Sequence, residues 1–432
     1  MLENGHMLSL KEISNYRQNA WERQSSYVAE NSVFYKRLWD GNSPPKQLEE
    51  ISKLPLSDKA SLRLAQPASP PFGDYLAARP EKVSRLHRTS GTTGQAMNLA
   101  LSARDCEITE IVGGRAQTLA GLKAGMMVVH CLNYQMWMGG LTDHLTLERT
   151  GATVVPFGVG STELLVRTII ETGITAISCT PSYPAALEMV IAEKFPQLSP
   201  SDLGLKLGLF GGEPGIDDPA FRKRLSDTWG MQPRNANYGV TDVFCNFASE
   251  CAYDNALHFV AHDVLHAELI DPDSGTLKQF EPGNSGELVL THLIRECQPL
   301  VRFRTGDIIR IENTEVCKCG CAGFRFRVIG RSDDMVVVRG LNMFPTMVAA
   351  VVTSFEELSG DYRIVLDAPP PYDVLPVEVE LAEGIQDEDA LSLRLEKRFK
   401  HDLGATIRVK TVPYGTFPRT EGKTKRVLRS YQ

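Results

Sequence analysis

The sequence contains no apolar run near the ~18 residues of a membrane-spanning helix. Its first ten residues have neither a basic flank nor the apolar core of a secretory signal. Cysteine is sparse: nine in 432 residues, an odd number and too few for a disulfide framework, which points to a reducing cytoplasm. Positive charge is in deficit too. Against 53 Asp and Glu stand 46 Lys and Arg, a net charge of −7 and a poor balance for a protein that grips a nucleic-acid backbone. Internal repeats and low-complexity tracts are missing. What remains is ordinary folded-protein composition, 42% hydrophobic and 23% charged, at a length suited to roughly two to four domains.

The hydrophobic pattern gives the organisation. Residues 8–39 read as helices that stop before Gly41-Asn-Ser-Pro-Pro45. From about 83 to 240 short β-rich runs (126–132, 152–156, 175–180, 205–210) alternate with helical stretches (102–120, 161–172, 183–194, 217–229). That alternation predicts layered α/β structure on a largely parallel sheet. From 257 to 330 turn signals such as Asp271-Pro-Asp-Ser-Gly275 predict a more antiparallel, barrel-like region. Beyond Arg331 the pattern predicts a small α+β unit: strand 335–338, helix 345–358, strands 362–367 and 374–381, helix 387–401 and strand 406–412. The fold class is therefore α/β, with a large domain at 1–331 and a small domain at 332–432.

Chemistry first shows at residues 89–94, where Thr89, Ser90, Gly91, Thr92, Thr93 and Gly94 follow a strand-like run. Two glycines, hydroxyls and free amides suit phosphate oxygens. The spacing is not that of the Walker loop, and no lysine follows it. Further motifs come in order: Gly211-Gly-Glu-Pro214, Tyr238-Gly-Val-Thr-Asp242, Arg304-Thr-Gly-Asp307, Gly330-Arg-Ser-Asp-Asp-Met335, Arg339-Gly-Leu-Asn-Met-Phe-Pro345 and Pro418-Arg-Thr-Glu-Gly-Lys-Thr-Lys-Arg426. Together they resemble the adenylate-forming superfamily, and the short length and last two motifs resemble its phenylacetate-CoA ligase branch.

The resemblance implies a two-step reaction. A carboxylate attacks the α-phosphate of ATP, giving an acyl-adenylate and pyrophosphate; the thiol of coenzyme A then displaces AMP. It implies that Thr89–Gly94 hold the β- and γ-phosphates, and that Gly212, Glu213, Pro214, Tyr238 and Gly239 surround adenine. Thr241 would contact the α-phosphate, Asp242 would hold Mg²⁺, and Asp307 the ribose hydroxyls, with Arg331 assisting. The family usually has Glu where this chain has Asp242, and a shorter carboxylate still binds Mg²⁺ directly or through water. Lys423 matches the mobile lysine that bridges carboxylate and α-phosphate, where a cation acts in the transition state. Lys425 competes for that role if the register slips by two. Asp333 matches the hinge about which the small domain swings, opening a thiol channel near Gly340. Relatives in this branch are commonly homodimers.

Cys317, Cys319 and Cys321 crowd into five residues, and Cys251 precedes His258 by seven. Cys251, His258, Cys317 and Cys319 would make a tetrahedral zinc set with no open position, hence structural, with Cys321 as the alternative ligand. Some members of the branch carry such a zinc.

For the acid, the stretch from Leu132 to Leu141 matches the branch's pocket-lining segment, which puts Tyr134, Trp137 and Gly140 beside the substrate. Flat aromatic walls suit an aryl acid. Phe244 should narrow the opposite wall, and Asn246 should hydrogen-bond a ring substituent. The expected substrate is a compact amino- or hydroxybenzoate-like acid. Two other functions stay open: a free-standing adenylating enzyme that loads a carrier-protein thiol or an amine, and an inactive scaffold serving as a zinc-containing interaction protein.

Overall fold

The computed structural model describes residues 4–89, 96–213, 215–339, 341–386, 389–417 and 426–431. The chain forms two compact units, one of residues up to 212 with 225–328, the other of 213–224 with 329–432.

The larger unit begins with helices α1 (Ser14–Asn31), α2 (Val33–Leu38) and α3 (Lys59–Ala65). Helix α3 starts at a capping box, in which Asp58 accepts from the Ser61 amide and Ser61 accepts from that of Asp58. Strands β1 (Val83–Arg88) and β2 (Asn98–Ser102) pair antiparallel, Arg88 opposite Asn98. Then strands and helices alternate, with α5 and β7 added to the runs read from the sequence and with the first half of α8 belonging to the smaller unit: α4 (Ala103–Ala120), β3 (Met127–His130), α5 (Met138–Glu148), β4 (Thr153–Pro156), α6 (Thr162–Thr172), β5 (Ala176–Cys179), α7 (Tyr183–Lys194), β6 (Leu207–Gly211), α8 (Pro219–Trp229) and β7 (Gln232–Val240). Strands β4, β3, β5, β6 and β7 lie side by side and parallel. Val128, Val129, Ile177 and Leu209 are buried within them, as strands covered on both faces require.

At the end of β7 the chain reverses. Strand β8 (Phe244–Ser249) pairs antiparallel with β7, and β9 (Leu257–Phe259) with β8. Strands β10 (Leu265–Ile270), β11 (Leu277–Lys278), β12 (Ser285–His292), β13 (Phe303–Asn313) and β14 (Arg325–Arg331) complete the sheet. The order is β11-β10-β12-β13-β14-β9-β8-β7-β6-β5-β3-β4. The antiparallel region is thus hydrogen-bonded directly onto the parallel one.

The smaller unit holds β15 (Val336–Val338), β16 (Leu341–Met343), α9 (Pro345–Val352), β17 (Leu358–Leu366), β18 (Leu375–Leu381), α10 (Asp389–Leu403), β19 (Ile407–Val412) and β20 (Val427–Arg429). Its four-stranded sheet runs β19-β18-β17-β20, over a core that includes Val348, Ile364, Val377, Leu395 and Phe399. Helix α9 ends at Val352 instead of running to 358. The Thr353 and Ser354 hydroxyls donate to the carbonyls of Ala349 and Val351, and Leu358 pairs with Leu381 in the sheet. Local side-chain bonding and strand pairing end the helix there.

One buried ion pair ties α4 to the turn after β9. Arg115 grips Asp263 with both ends of its guanidinium, at 2.7 and 3.1 Å, and also donates to the Val260 carbonyl. Asp263 is fully buried. Removing one partner of such a pair strands the other charge, a cost of about 3–5 kcal/mol. Asp263→Ala is expected to destabilise the protein by that amount in urea unfolding; a loss under about 1 kcal/mol would show that the pair is not structural.

Candidate functional site

Ligands of open α/β sheets bind beyond the carboxyl ends of the parallel strands, and there the predicted residues gather. His130 ends β3 and is wholly buried. Its Nε2 donates to the carbonyls of Gly139 and Gly140, each at 3.1 Å, and its Nδ1 accepts from Ser178 at 3.1 Å. This imidazole fixes the first turn of α5. Trp137 is the cap residue of that helix and is partly exposed. At Gly140 a methyl group would stand 2.3 Å from the Asn133 carbonyl, so only glycine lets the loop with Tyr134 rest on the helix. The Tyr134 hydroxyl donates to His144 Nδ1 at 2.9 Å, and His144 Nε2 donates to Glu148 at 3.1 Å. Burial pushes the Tyr134 phenol up, so it stays a donor. This relay was not foreseen, although His144 and Glu148 stand at the i, i+4 spacing that gives helix neighbours.

The turn between β7 and β8 carries Thr241 and Asp242. Gly239 allows it: a methyl there would lie 1.8 Å from the Cys245 carbonyl. Tyr238 donates to Asp307 Oδ2 at 2.7 Å, and its ring meets Phe247 and Phe326 edge-on at 5.3 Å each. The structure therefore unites these two predicted nucleotide residues. Thr241 is partly exposed. Asp242 is buried, its Oδ2 paired with Lys59 Nζ at 2.9 Å, while Oδ1 has no hydrogen-bond partner among the described residues. Sequence reasoning missed Lys59. Its one signal was a lack: the glycine-rich loop has no lysine of its own.

Thr89 donates its amide to the Met97 carbonyl at 2.9 Å and accepts from the Met97 amide at 3.0 Å, closing the stem below the glycine-rich loop. Ser90, Gly91, Thr92, Thr93, Gly94, Pro214, Gly340, Lys423 and Lys425 lie outside the described residues. Gly212 is exposed just after β6, and Glu213 opens the segment that belongs to the smaller unit. Within that unit Arg331 and Asp333 form a two-point ion pair at 2.9 and 3.2 Å.

Phe244 was expected to narrow the acid pocket. It is fully buried, edge-on to His292 at 5.3 Å and 5.8 Å from the Arg295 guanidinium, so its ring is committed to the core. Asn246 is also fully buried; its Nδ2 donates to the Ala236 carbonyl at 2.8 Å, leaving only Oδ1 for another group.

The four expected zinc ligands converge. One ligand atom from each of Cys251, His258, Cys317 and Cys319 lies within 4.8 Å of every other. His258 Nδ1 donates to the Ala256 carbonyl at 2.9 Å, which leaves Nε2 as the ligand atom, buried and without a hydrogen-bond partner among the described residues. The Cys319 sulfur hydrogen bond holds the Cys251 thiol well below the usual thiol range. Cys321 stands outside the group, its carbonyl accepting from the Cys317 amide. The donor set fits tetrahedral zinc.

Residues 340–430 match the AMP-binding enzyme C-terminal domain family. The chain is similar to the phenylacetate-coenzyme A ligase of Thermus thermophilus, 34% identical with 94% of each chain covered. It is also similar to the enzyme of that name from Escherichia coli, 32% identical over 94% of this chain and 92% of the relative. Among solved structures, a 2-hydroxyisobutyryl-CoA ligase in the postadenylation state with R3-HIB-AMP has a TM-score of 0.88 at 26% identity, covering 99% of this chain and 92% of that one. An anthranilate CoA ligase with anthranoyl-AMP has a TM-score of 0.60 at 19% identity, covering 79% and 65%, a likeness of fold alone.

Burial lowers the His130 imidazole from 6.5 to about 4, so it is neutral in the fold. Unfolding lets it take up a proton below pH 6.5. Its contribution is therefore complete above that pH and fades as pH falls toward 4. By pH 4.5 it is expected to have cost wild type about 2–3 kcal/mol more than a His130→Gln variant, relative to pH 7.5, in parallel chemical unfolding. Parallel curves would mean the imidazole is not held neutral.

Proposed function

This chain belongs to the phenylacetate-coenzyme A ligase family, and from that premise we propose that the acid it activates is small and aromatic, a substituted benzoate-like carboxylate. The chain is an AMP-forming acid–CoA ligase: ATP and an acid give an acyl-adenylate, and coenzyme A takes the acyl group as a thioester. The observation that carries the aromatic reading is the pair Tyr134 and Trp137, both half-buried beyond the parallel strands, with Tyr134 oriented through His144. Aromatic faces give a flat acid both contact area and exclusion of water.

The residue roles follow the same reading. Thr89–Gly94 hold phosphates at the hairpin of β1 and β2. Tyr238 lies along the adenine, and Asp307, oriented by the Tyr238 hydroxyl, accepts from the ribose. Thr241 meets the α-phosphate. Asp242 suits Mg²⁺ through its unpaired Oδ1; that ion, when bound, offsets phosphate charge. Lys59, already on the same carboxylate, adds a fixed positive charge. Lys423 bridges the two reacting anions during adenylation, and Arg331 assists at the nucleotide. Asp333 is the hinge between a body ending at 331 and a cap beginning at 332, and coenzyme A reaches the adenylate past Gly340. Cys251, His258, Cys317 and Cys319 hold one structural Zn²⁺ that fastens the β8–β9 connection to the β13–β14 connection.

The decisive experiment follows AMP and acyl-CoA by mass with ATP, Mg²⁺, coenzyme A and a panel of benzoates, phenylacetate and alkanoates. Benzoates are expected to lead; equal turnover of phenylacetate and fatty acids would refute the aromatic reading. In the same assay Lys423→Ala should lose adenylation by a factor of roughly 100 or more yet still convert preformed adenylate. Metal analysis of the purified protein should find about one zinc per chain, lost in Cys317→Ser together with several degrees of melting temperature. Full zinc content in that variant would remove Cys317 from the set.

A further inference from the structure

Asp143 belongs to α5, the helix that Trp137 caps, and only 2% of it is exposed. A carboxyl buried so deeply calls for several hydrogen bonds. Asn237 Nδ2 donates to its Oδ2 at 2.5 Å. The Cys245 thiol, a weak donor, leans on the same carboxyl. Oδ1 has no hydrogen-bond partner among the described residues. Burial outweighs the Asn237 bond and pushes the group up to about 7.

The surroundings are reachable where the acid itself is not. Trp137, Gly139, Asn237 and Cys245 are all partly exposed. A methyl built on Gly139 would stand 3.7 Å from both Asp143 Oδ2 and Trp137 Cε3. Gly139, having no side chain, thus lies at contact distance from the indole, from the carboxyl and from Leu132. Asn237 comes from the end of β7, opposite Gly211 of β6, and Cys245 from β8. The carboxyl therefore lies at the end of the sheet where open α/β folds bind ligands.

We propose that Asp143 is a specificity residue: when ionised, its Oδ1 accepts a hydrogen bond from an amino or hydroxyl group on the ring of the bound acid. This rests on the aryl-acid reading above and goes beyond it, naming the substituent and the residue that selects it. A plain ring leaves Oδ1 buried and unpaired, which is the larger part of the discrimination. Sites built to bond an N–H or O–H reject analogues that lack it far more strongly than pockets reject a missing methylene.

The test compares kcat/KM for acyl-CoA formation from benzoate and from the 2-, 3- and 4-amino- and hydroxybenzoates. Wild type is expected to favour the best donor-bearing acid by roughly 10–100-fold, mostly through KM. In Asp143→Ala that ratio should fall to within about threefold of unity. Asp143→Asn should collapse it too: Asn237 claims the oxygen, so the new amide turns its NH₂ toward the substrate's own donor. A wild-type ratio near one overturns the inference, as does an equal loss for both acids with the ratio intact; the aryl-acid reading survives both. Activation of alkanoates but of no benzoate fells the aryl-acid reading, and this inference with it. If neither variant folds, the wild-type ratio alone decides.

Discussion

The site depends on a place where two stretches of backbone approach more closely than any side chain allows. Gly239 lies against the Cys245 carbonyl at the reversal from β7 into β8. That tight reversal joins the parallel strands to the antiparallel ones and sets Asn237, Tyr238, Thr241 and Asp242 along one short path. A wider turn would move Tyr238 off Asp307 and Asp242 off Lys59. The chemistry here is thus a matter of backbone sterics first and of charge second.

Charge then divides the buried acids: some hold a full set of partners and others do not. Asp263 is saturated by Arg115 and is structural. Asp242 and Asp143 each hold one good partner and keep one oxygen unbonded among the described residues. Native interiors satisfy most buried polar atoms. Two such incompletely satisfied acids, Asp143 and Asp242, stand on neighbouring elements.

Much of this was legible in the sequence, for identifiable reasons. Strands β3, β5 and β6 are short apolar runs between helices, and periodicity found them within two residues. The convergence of Cys251, His258, Cys317 and Cys319 was legible because three cysteines crowd into five residues and His258 follows Cys251 by seven. The limits have physical causes too. Lys59 and Asp242 are far apart along the chain, so no local pattern links them. Nothing in the sequence singled out Asp143, since burial is a tertiary property. The packing of Phe244 on His292 and Arg295 was not legible, because membership in a motif says nothing about which face of a strand turns inward. Helix α9 fell short because apolar spacing outweighed the hydroxyls of Thr353 and Ser354.

The thiol–imidazole quartet has a consequence for how the protein is made. Cys251 and His258 leave the ribosome well before Cys317 and Cys319, and β9 can pair with β14 only once residues 325 and 326 have emerged. Until then the nascent chain carries a sheet with an open edge beside unclaimed sulfur. Emergence of residues 317–326 supplies the two later thiols and the strand that pairs with β9 in one short stretch of synthesis.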